Sequence, residues 1–337
     1  MCIKTYKIKF YTSKGAVIMS DTLNICGLEA GRGQKLRTAL PVPGTAAALP
    51  VTIINGQGDG PTLLLTAGIH GGEYPGIAAA IELGRDLEPQ NISGCLIVIH
   101  PVNTPSFWAR SAFIVPEDGK NLNREFPGDA GGTLSQKIAH VLSQKFFPQA
   151  DFYIDLHSGD IHEELYPYVY YPGLPNEETA ATARAVAQVL DMEYMVRSTA
   201  TSGAYNYAAI SGLPSLLIER GGAGLCLRED IEAYKKDILN IMRQLTLLPE
   251  PPQPRRHTPR DLTNVIYLEN TDQGCWLPNF RSGSKVVKGD ELGRLTDLFG
   301  TTIATYHAEQ DGIILYQCAS LAVPAGNVLL AYGKPAE

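Results

Sequence analysis

The sequence predicts an α/β fold, in which a mainly parallel mixed sheet is covered by helices in three layers and is followed by a small all-β domain. Short apolar runs bounded by Gly and Pro alternate with longer stretches of helical periodicity, which is typical of strands connected by helices. Past residue 260 the helical periodicity disappears, and Gly and strand-like residues recur. Active sites of such sheets lie beyond the carboxyl ends of the strands, so polar residues directly after a strand are the candidates.

The elements follow one another in a regular order after a lead-in, residues 19–50, that we expect to be irregular. Strands are predicted at 51–54, 62–66, 95–99, 152–156 and 214–218, and helices at 73–87, 133–147, 176–190 and 228–245. Thr133 precedes its helix as a candidate N-cap, and acidic residues occupy the first turn of the helix at 176–190.

The chain divides at a proline-rich segment. Five prolines fall within the eleven residues 249–259, which predicts a stiff linker over 249–260. We therefore expect an α/β domain at 19–248 and a β-barrel-like domain at 261–337. Residues 1–18 hold four lysines and no acid, and a start at Met19 would make them an N-terminal extension.

Composition excludes several classes of protein. The 28 basic and 35 acidic side chains leave a net charge of −7, which argues against a general nucleic-acid binder. The long uncharged stretches are interrupted by Pro, Gly and Asn, so no membrane span is expected. Six scattered cysteines form no CxxC pair, which argues against a disulfide framework and favours a reducing cytoplasm. A homo-oligomer is compatible with this composition.

Two strand ends bear residues typical of a zinc site. An HGGE segment places His70 and Glu73 after the strand at 62–66, and a DLHSG segment places His157 at the end of the strand at 152–156. Two imidazoles and one carboxylate form a common protein donor set for zinc. Asp155 lies two residues before His157, on the same side of its strand, and could orient that imidazole. The alternative is that both histidines are hydrogen-bonded core residues.

Three further groups could serve catalysis. Glu219 ends an apolar strand, where a charge is unfavourable unless it is functional or paired, for instance with Arg220; it is the candidate general base. Asn123 and Arg124, in an NLNREF segment, are suited to a substrate carboxylate, unless this is a surface turn. Arg110 could face a developing oxyanion, or be an ordinary surface arginine.

Together the HGGE, NLNREF, DLHSG and IERGG segments resemble the succinylglutamate desuccinylase and aspartoacylase family, which has a zinc-carboxypeptidase-like fold. The resemblance spans about residues 51–247 and implies a zinc hydrolase domain at 19–248 with one Zn²⁺ per chain. It implies His70, Glu73 and His157 as ligands and Glu219 as base. Asn121 stands where the family often has Asp, and Gly72 where zinc carboxypeptidases usually have Arg.

The expected activity is therefore zinc-dependent hydrolysis of the amide bond of a small N-acyl amino acid. Neither the acyl group nor the amino acid can be chosen from the residues. Two alternatives stay open: a zinc carboxypeptidase acting on short or cell-wall peptides, and a non-catalytic small-molecule binding protein on the same scaffold.

Overall fold

The computed structural model describes residues 22–336, so the predicted extension at 1–18 lies outside the described residues. Strands of the first half are β1 (Thr22–Ile25), β2 (Leu28–Gly31), β3 (Lys35–Pro41), β4 (Ala48–Asn55), β5 (Gly58–Ala67), β6 (Ser93–Ile99), β7 (Ile114–Val115), β8 (Lys120–Asn121), β9 (Phe152–His157), β10 (Glu163–Leu165), β11 (Tyr168–Pro172), β12 (Tyr194–Ser198) and β13 (Ser215–Glu219). Those beyond the linker are β14 (Arg260–Glu269), β15 (Gly274–Pro278), β16 (Lys285–Val286), β17 (Glu291–Thr296), β18 (Thr302–His307), β19 (Gly312–Cys318), β20 (Ala322–Val323) and β21 (Val328–Pro335).

Six α-helices connect these strands: α1 (Tyr74–Asp86), α2 (Thr104–Ala109), α3 (Leu134–Val141), α4 (Glu177–Ala187), α5 (Ala204–Ile210) and α6 (Arg228–Gln244). Thr133 and Gln136 form a capping box at the start of α3, which confirms the predicted N-cap. The predicted helix continues past α3 as a π-helical turn over Leu142–Phe146. No helix among the described residues combines the length and apolar composition that crossing a membrane requires.

Helices cover both faces of the central sheet, as predicted. One face packs against the apolar sides of α1, α4 and α6, and the other against α3 and α5. The central strands β13, β9, β5 and β6 are mutually parallel neighbours, while β3 and β4 add an antiparallel edge. The mixed three-layer α/β fold is therefore confirmed.

The sheet continues across the proline-rich segment into the all-β part of the chain. β14 pairs in parallel with β12, and β21, β19 and β10 follow in the same sheet. A second, four-stranded sheet contains β15, β17, β18 and β20. The all-β part thus contacts the α/β part through shared backbone hydrogen bonds, and β10 lies at the seam.

The expectation of an irregular lead-in is wrong for the described residues before 50. β1 and β2 form a hairpin around Cys26 and Gly27, both at positive φ, and β3 pairs with β4 along its whole length. β3 was missed because it is an edge strand with charged residues on its exposed face, so it lacks the apolar run of a central strand.

Candidate active site

Three neighbouring strand ends bring the candidate residues together. β5, β9 and β13 are parallel neighbours, so their carboxyl ends meet at one edge of the sheet. His157 is the last residue of β9 and lies in register with Glu219, the last residue of β13. His70 lies three residues past the end of β5, and Glu73 directly precedes α1.

Glu73 lies between the two imidazoles. One carboxylate oxygen is 2.6 Å from Nδ1 of His70, and the other is 2.9 Å from Nδ1 of His157. One donor atom from each of the three residues falls within 4.8 Å of the other two. The structure therefore brings the predicted donor group together at a spacing that one metal ion can span.

The outer nitrogen of each imidazole also has a partner. Nε2 of His157 is 3.0 Å from the buried carboxylate of Asp155, as predicted from the DLH spacing. Nε2 of His70 is 3.1 Å from Oδ1 of Asn121, a partner that the sequence analysis did not assign. These contacts orient both rings with Nδ1 toward Glu73, which is how supporting residues commonly hold metal-binding histidines.

The electrostatics of this group favour a positive charge at its centre. Burial disfavours the charged form of Glu73, but His70 and His157 outweigh burial and lower its pKa to about 2. Burial likewise favours a neutral His157, yet the carboxylates of Asp155 and Glu73 raise its pKa well above the ordinary value. A divalent cation bound between these residues would provide the positive charge that their carboxylates favour, so the residues present fit zinc.

Glu219 lies beside the donor group and forms no hydrogen bond with His70, Glu73 or His157. Its Oε2 atom is buried and has no hydrogen-bond partner among the described residues. Burial, together with the charges of Glu73 and Asp155, raises the pKa of Glu219 well above the ordinary value, although His157 opposes the shift. A carboxylate without a partner at this place is available to accept a proton from a bound molecule.

The structure excludes the ion pair with Arg220 that was the alternative role for Glu219. Strand alternation turns the guanidinium of Arg220 away, where its Nε and Nη2 lie 2.8 and 2.5 Å from Oδ2 of Asp237 on α6. A further bond of 2.9 Å runs to the carbonyl of Asp191. Arg220 thus secures the end of β13 to α6 and leaves Glu219 facing the site.

Asn123 and Arg124 occupy a short 3₁₀ turn that follows β8. Asn123 is buried, and its Oδ1 accepts a 2.9 Å hydrogen bond from the amide of Ala204 at the start of α5. This contact leaves its amide nitrogen as the group that could serve a substrate. Arg124 is exposed, and its positive charge opposes the rise in the pKa of Tyr316, a residue on β19.

Arg110 is not brought into contact with the donor group by any described interaction. It lies at positive φ after α2 and borders an apolar surface groove of about 430 Å³, together with Tyr74, Trp108 and Cys226. Its side chain forms no hydrogen bond or ion pair with any residue from 22 to 336. The proposed contact with an oxyanion therefore stays a prediction.

Glu163 is a further site residue that the sequence analysis missed. It begins β10, a strand of only three residues, whose pattern Glu-Glu-Leu contains no apolar run that would have predicted it. Burial and the charges of Glu219, Asp160 and Glu73 raise its pKa well above the ordinary value.

A mixed α/β sheet with a His-Glu-His donor group and a free carboxylate at its strand ends is typical of metal-dependent hydrolases. Residues 59–245 match the model of the succinylglutamate desuccinylase/aspartoacylase catalytic domain, and the chain belongs to this family.

Individual relatives agree with this membership. The chain is 28% identical over 312 residues to N-alpha-acetyl-L-2,4-diaminobutyric acid deacetylase of Halomonas elongata, with 87% of each chain covered. It is similar to the product-bound structure of the ectoine utilization protein EutE of Ruegeria pomeroyi, at 27% identity, TM-score 0.80, and 89% and 95% coverage. A succinylglutamate desuccinylase/aspartoacylase structure from Rhodobacter sphaeroides gives 26% identity, TM-score 0.81, and 90% and 96% coverage.

Proposed function

We propose that this chain hydrolyses the amide bond of a small N-acyl amino acid, with His70, Glu73 and His157 holding one zinc ion. The observation that most directly supports it is the buried Oε2 of Glu219, which has no partner in the described chain and lies beside the donor group. An unpaired carboxylate in such a place is unfavourable for stability and is explained by a role in proton transfer.

At this position a zinc ion supplies Lewis acidity, which polarises a carbonyl and lowers the pKa of water. Glu219 accepts the proton of the attacking water and delivers it to the amide nitrogen as the C–N bond breaks, so that a carboxylic acid and a free amine leave. Asp155 and Asn121 hold the two imidazoles in place throughout. Arg124 and the amide nitrogen of Asn123 bind the carboxylate of the amino acid.

The relatives support the N-acyl amino acid class over the peptidase alternative. The Halomonas elongata protein is named as a deacetylase of an N-acetylated diamino acid, and a Pseudomonas aeruginosa relative, 26% identical over 236 residues, as a succinylglutamate desuccinylase. A panel of N-acetyl and N-succinyl amino acids, with a dipeptide series beside it, separates the two activities directly.

The decisive test is Glu219→Gln, which preserves the shape of the side chain and removes the base. We expect kcat to fall about 10²- to 10⁴-fold. Zinc stoichiometry, measured by metal analysis, is expected to stay at one per chain because Glu219 is outside the donor group.

The matched control is Glu229→Gln, which changes an exposed glutamate in the first turn of α6. It should retain wild-type activity. Full activity of Glu219→Gln would refute the role of this residue, and wild-type protein without stoichiometric zinc would refute the metal site.

A further inference from the structure

A cavity of about 480 Å³ lies where the all-β part of the chain meets β10. Its walls come from β10, from β15 and the loop after it, and from β19 and the loop that follows. This volume falls within the range of small-molecule binding sites. None of His70, Glu73, His157 and Glu219 lines the cavity, so it is a space separate from the donor group and its candidate base.

The short strand β10 lies between this cavity and the active site. Glu164 lines the cavity, whereas the preceding residue, Glu163, is within electrostatic reach of Glu219. Because side chains alternate along a strand, the two adjacent glutamates project to opposite faces of β10. Glu164 pairs across the strands with Gln317 of β19, so these two side chains share the face that borders the cavity.

Two residues that line the cavity have buried polar atoms without a partner. Nε1 of Trp276 and Oε1 of Gln317 form no hydrogen bond with any residue from 22 to 336, and both residues are more than nine-tenths buried. Such atoms are rare in folded proteins, because burial removes the hydrogen bonds that water would form. The two atoms therefore point to a ligand that supplies one acceptor and one donor.

Both side chains face the cavity. Trp276 and Pro278, two residues apart on β15, line it, whereas the residues before and between them do not, so the indole lies on the cavity face of the strand. The amide nitrogen of Gln317 donates to Oε2 of Glu164 at 2.9 Å and to the carbonyl of Phe280 at 2.8 Å. These two bonds fix the orientation of the amide and leave its oxygen as an acceptor.

Opposite charges also border the cavity. Exposed Arg281 donates from Nε and Nη2 to Oε1 of Glu164 at 2.8 and 2.7 Å. Burial disfavours the charged form of Glu164, but Gln317 and Arg281 outweigh burial and lower its pKa. The other three N–H groups of Arg281 have no hydrogen-bond partner in the described part of the chain. The cavity thus offers a guanidinium and an indole N–H as donors, and an amide oxygen beside a carboxylate as acceptors.

The other polar side chains of the cavity already have partners. Nδ2 of Asn279 donates to the first carbonyl of β17 at 2.9 Å, and Oγ of Ser320 is 2.7 Å from Nδ1 of His162. Phe280 and Leu321 add apolar surface to the wall. A ligand in this cavity therefore meets charged groups of both signs and an apolar surface.

We propose that this cavity is a second binding site, and that its ligand is a free amino acid with an apolar side chain. The carboxylate of the ligand accepts hydrogen bonds from Trp276 and Arg281. Its ammonium group donates to Oε1 of Gln317, beside Glu164, and its side chain packs against Phe280. An amine or a carboxylic acid alone satisfies only half of this arrangement. The inference does not depend on the proposed function.

The fluorescence of Trp276 reports on the cavity directly, because the sequence contains only two tryptophans. The other one, Trp108, is exposed, so Trp108→Phe should fold normally and leave Trp276 as the only tryptophan. Titration of this variant with leucine should give a saturable change in emission. Isoamylamine, which lacks the carboxylate, and isocaproate, which lacks the ammonium group, should bind about 10-fold or more weakly, the range of a hydrogen bond to a charged group.

Two results of this titration would overturn the proposal. One is the absence of a saturable leucine signal both in the emission of Trp276 and in calorimetry. The other is equal affinity for leucine, isoamylamine and isocaproate, because a site that recognises a zwitterion must distinguish them.

Arg281→Met tests the partner of the carboxylate, and Arg294→Met is its matched control. Both arginines are exposed residues of the all-β part, but Arg294, on β17, does not line the cavity. In the Trp108→Phe background, Arg281→Met should weaken leucine binding about 10-fold or more and leave isoamylamine nearly unchanged, whereas Arg294→Met should leave both unchanged. Wild-type leucine affinity in Arg281→Met would overturn the proposal.

Gln317→Met tests the partner of the ammonium group with a side chain of similar length. It should weaken leucine binding and leave isocaproate nearly unchanged, the opposite selectivity to that of Arg281→Met. Equal losses for leucine and isocaproate, with unfolding in urea unchanged, would contradict the assigned orientation of the ligand.

Removal of zinc distinguishes this cavity from the active site, where the amino acid released by the proposed reaction could also bind. Leucine should bind the chelator-treated protein with unchanged affinity, because no residue of the donor group lines the cavity. Loss of leucine binding together with zinc would assign the ligand to the active site and overturn the proposal. None of these measurements uses turnover, so failure of the proposed function would leave them valid.

Discussion

The support that Asp155 gives to His157 can be tested by two substitutions of different severity. Asp155 is fully buried; one of its oxygens lies 3.0 Å from Nε2 of His157, and the other accepts a 2.7 Å bond from Oγ1 of Thr66. Oγ1 of Thr66 is also 2.7 Å from the hydroxyl of Tyr153. The carboxylate is therefore held rigidly by the strand that precedes the HGGE segment.

Asp155→Asn preserves this network and removes only the charge. The new amide oxygen can accept from His157, while its NH₂ group donates to Thr66, which can turn its own hydroxyl toward Tyr153. Asp155→Ala leaves the outer nitrogen of His157 buried without a partner. Residues that orient a metal-binding histidine contribute about 10- to 100-fold to metal affinity, or about 1.4 to 2.7 kcal/mol. We expect the loss of zinc affinity to lie near the lower limit for Asp155→Asn and near the upper limit for Asp155→Ala.

The assay is competition for zinc against a chromophoric chelator at neutral pH. Urea unfolding of the chelator-treated proteins serves as the control that separates loss of metal affinity from loss of fold. Zinc affinity of Asp155→Ala within a factor of two of the wild type would refute the reasoning, as would weaker binding by Asn than by Ala.

Two further predictions concern the frame of the site. Arg220→Leu leaves the carboxylate of Asp237 buried without its ion-pair partner, and should lower the free energy of unfolding in urea by about 3 to 5 kcal/mol. The double variant Arg220→Leu/Asp237→Leu should recover part of this loss. A double variant that is no more stable than Arg220→Leu would contradict the prediction. Gly222→Ala forces a Cβ against the Glu163 carbonyl and should cost about 1 to 3 kcal/mol, with loss of activity. As a control, a Cβ atom at Gly131 would lie no closer than 3.6 Å to another atom, so Gly131→Ala should have the stability and activity of the wild type.

Much of the fold was predictable because its central strands are buried on both faces. Such strands read as apolar runs, and β4, β5, β6, β9 and β13 all lie where the periodicity placed them. The edge strand β3, the tyrosine-rich strand β11 and the strand β12 were missed because their sequences mix exposed or polar positions with buried ones. Their burial is decided by neighbours distant in the chain.

The donor group was predictable for a related reason. Parallel strands end at a common edge, so the HGGE and DLHSG segments were expected to meet, and the structure brings His70, Glu73 and His157 within reach of one ion. The role of Asn121 beside His70 depends on how the chain brings together two residues that are 51 positions apart, which no local pattern records.

The sequence by itself determined the α/β class and the group of side chains that could hold zinc, because strand periodicity and strand-end position are local properties. Only the tertiary structure decided that Arg220 pairs with Asp237 and that Oε2 of Glu219 has no hydrogen-bond partner among residues 22–336. Each of these depends on which side chains from distant segments lie nearby. The partner of a buried charge is set by three-dimensional packing, and a local sequence pattern does not record that packing.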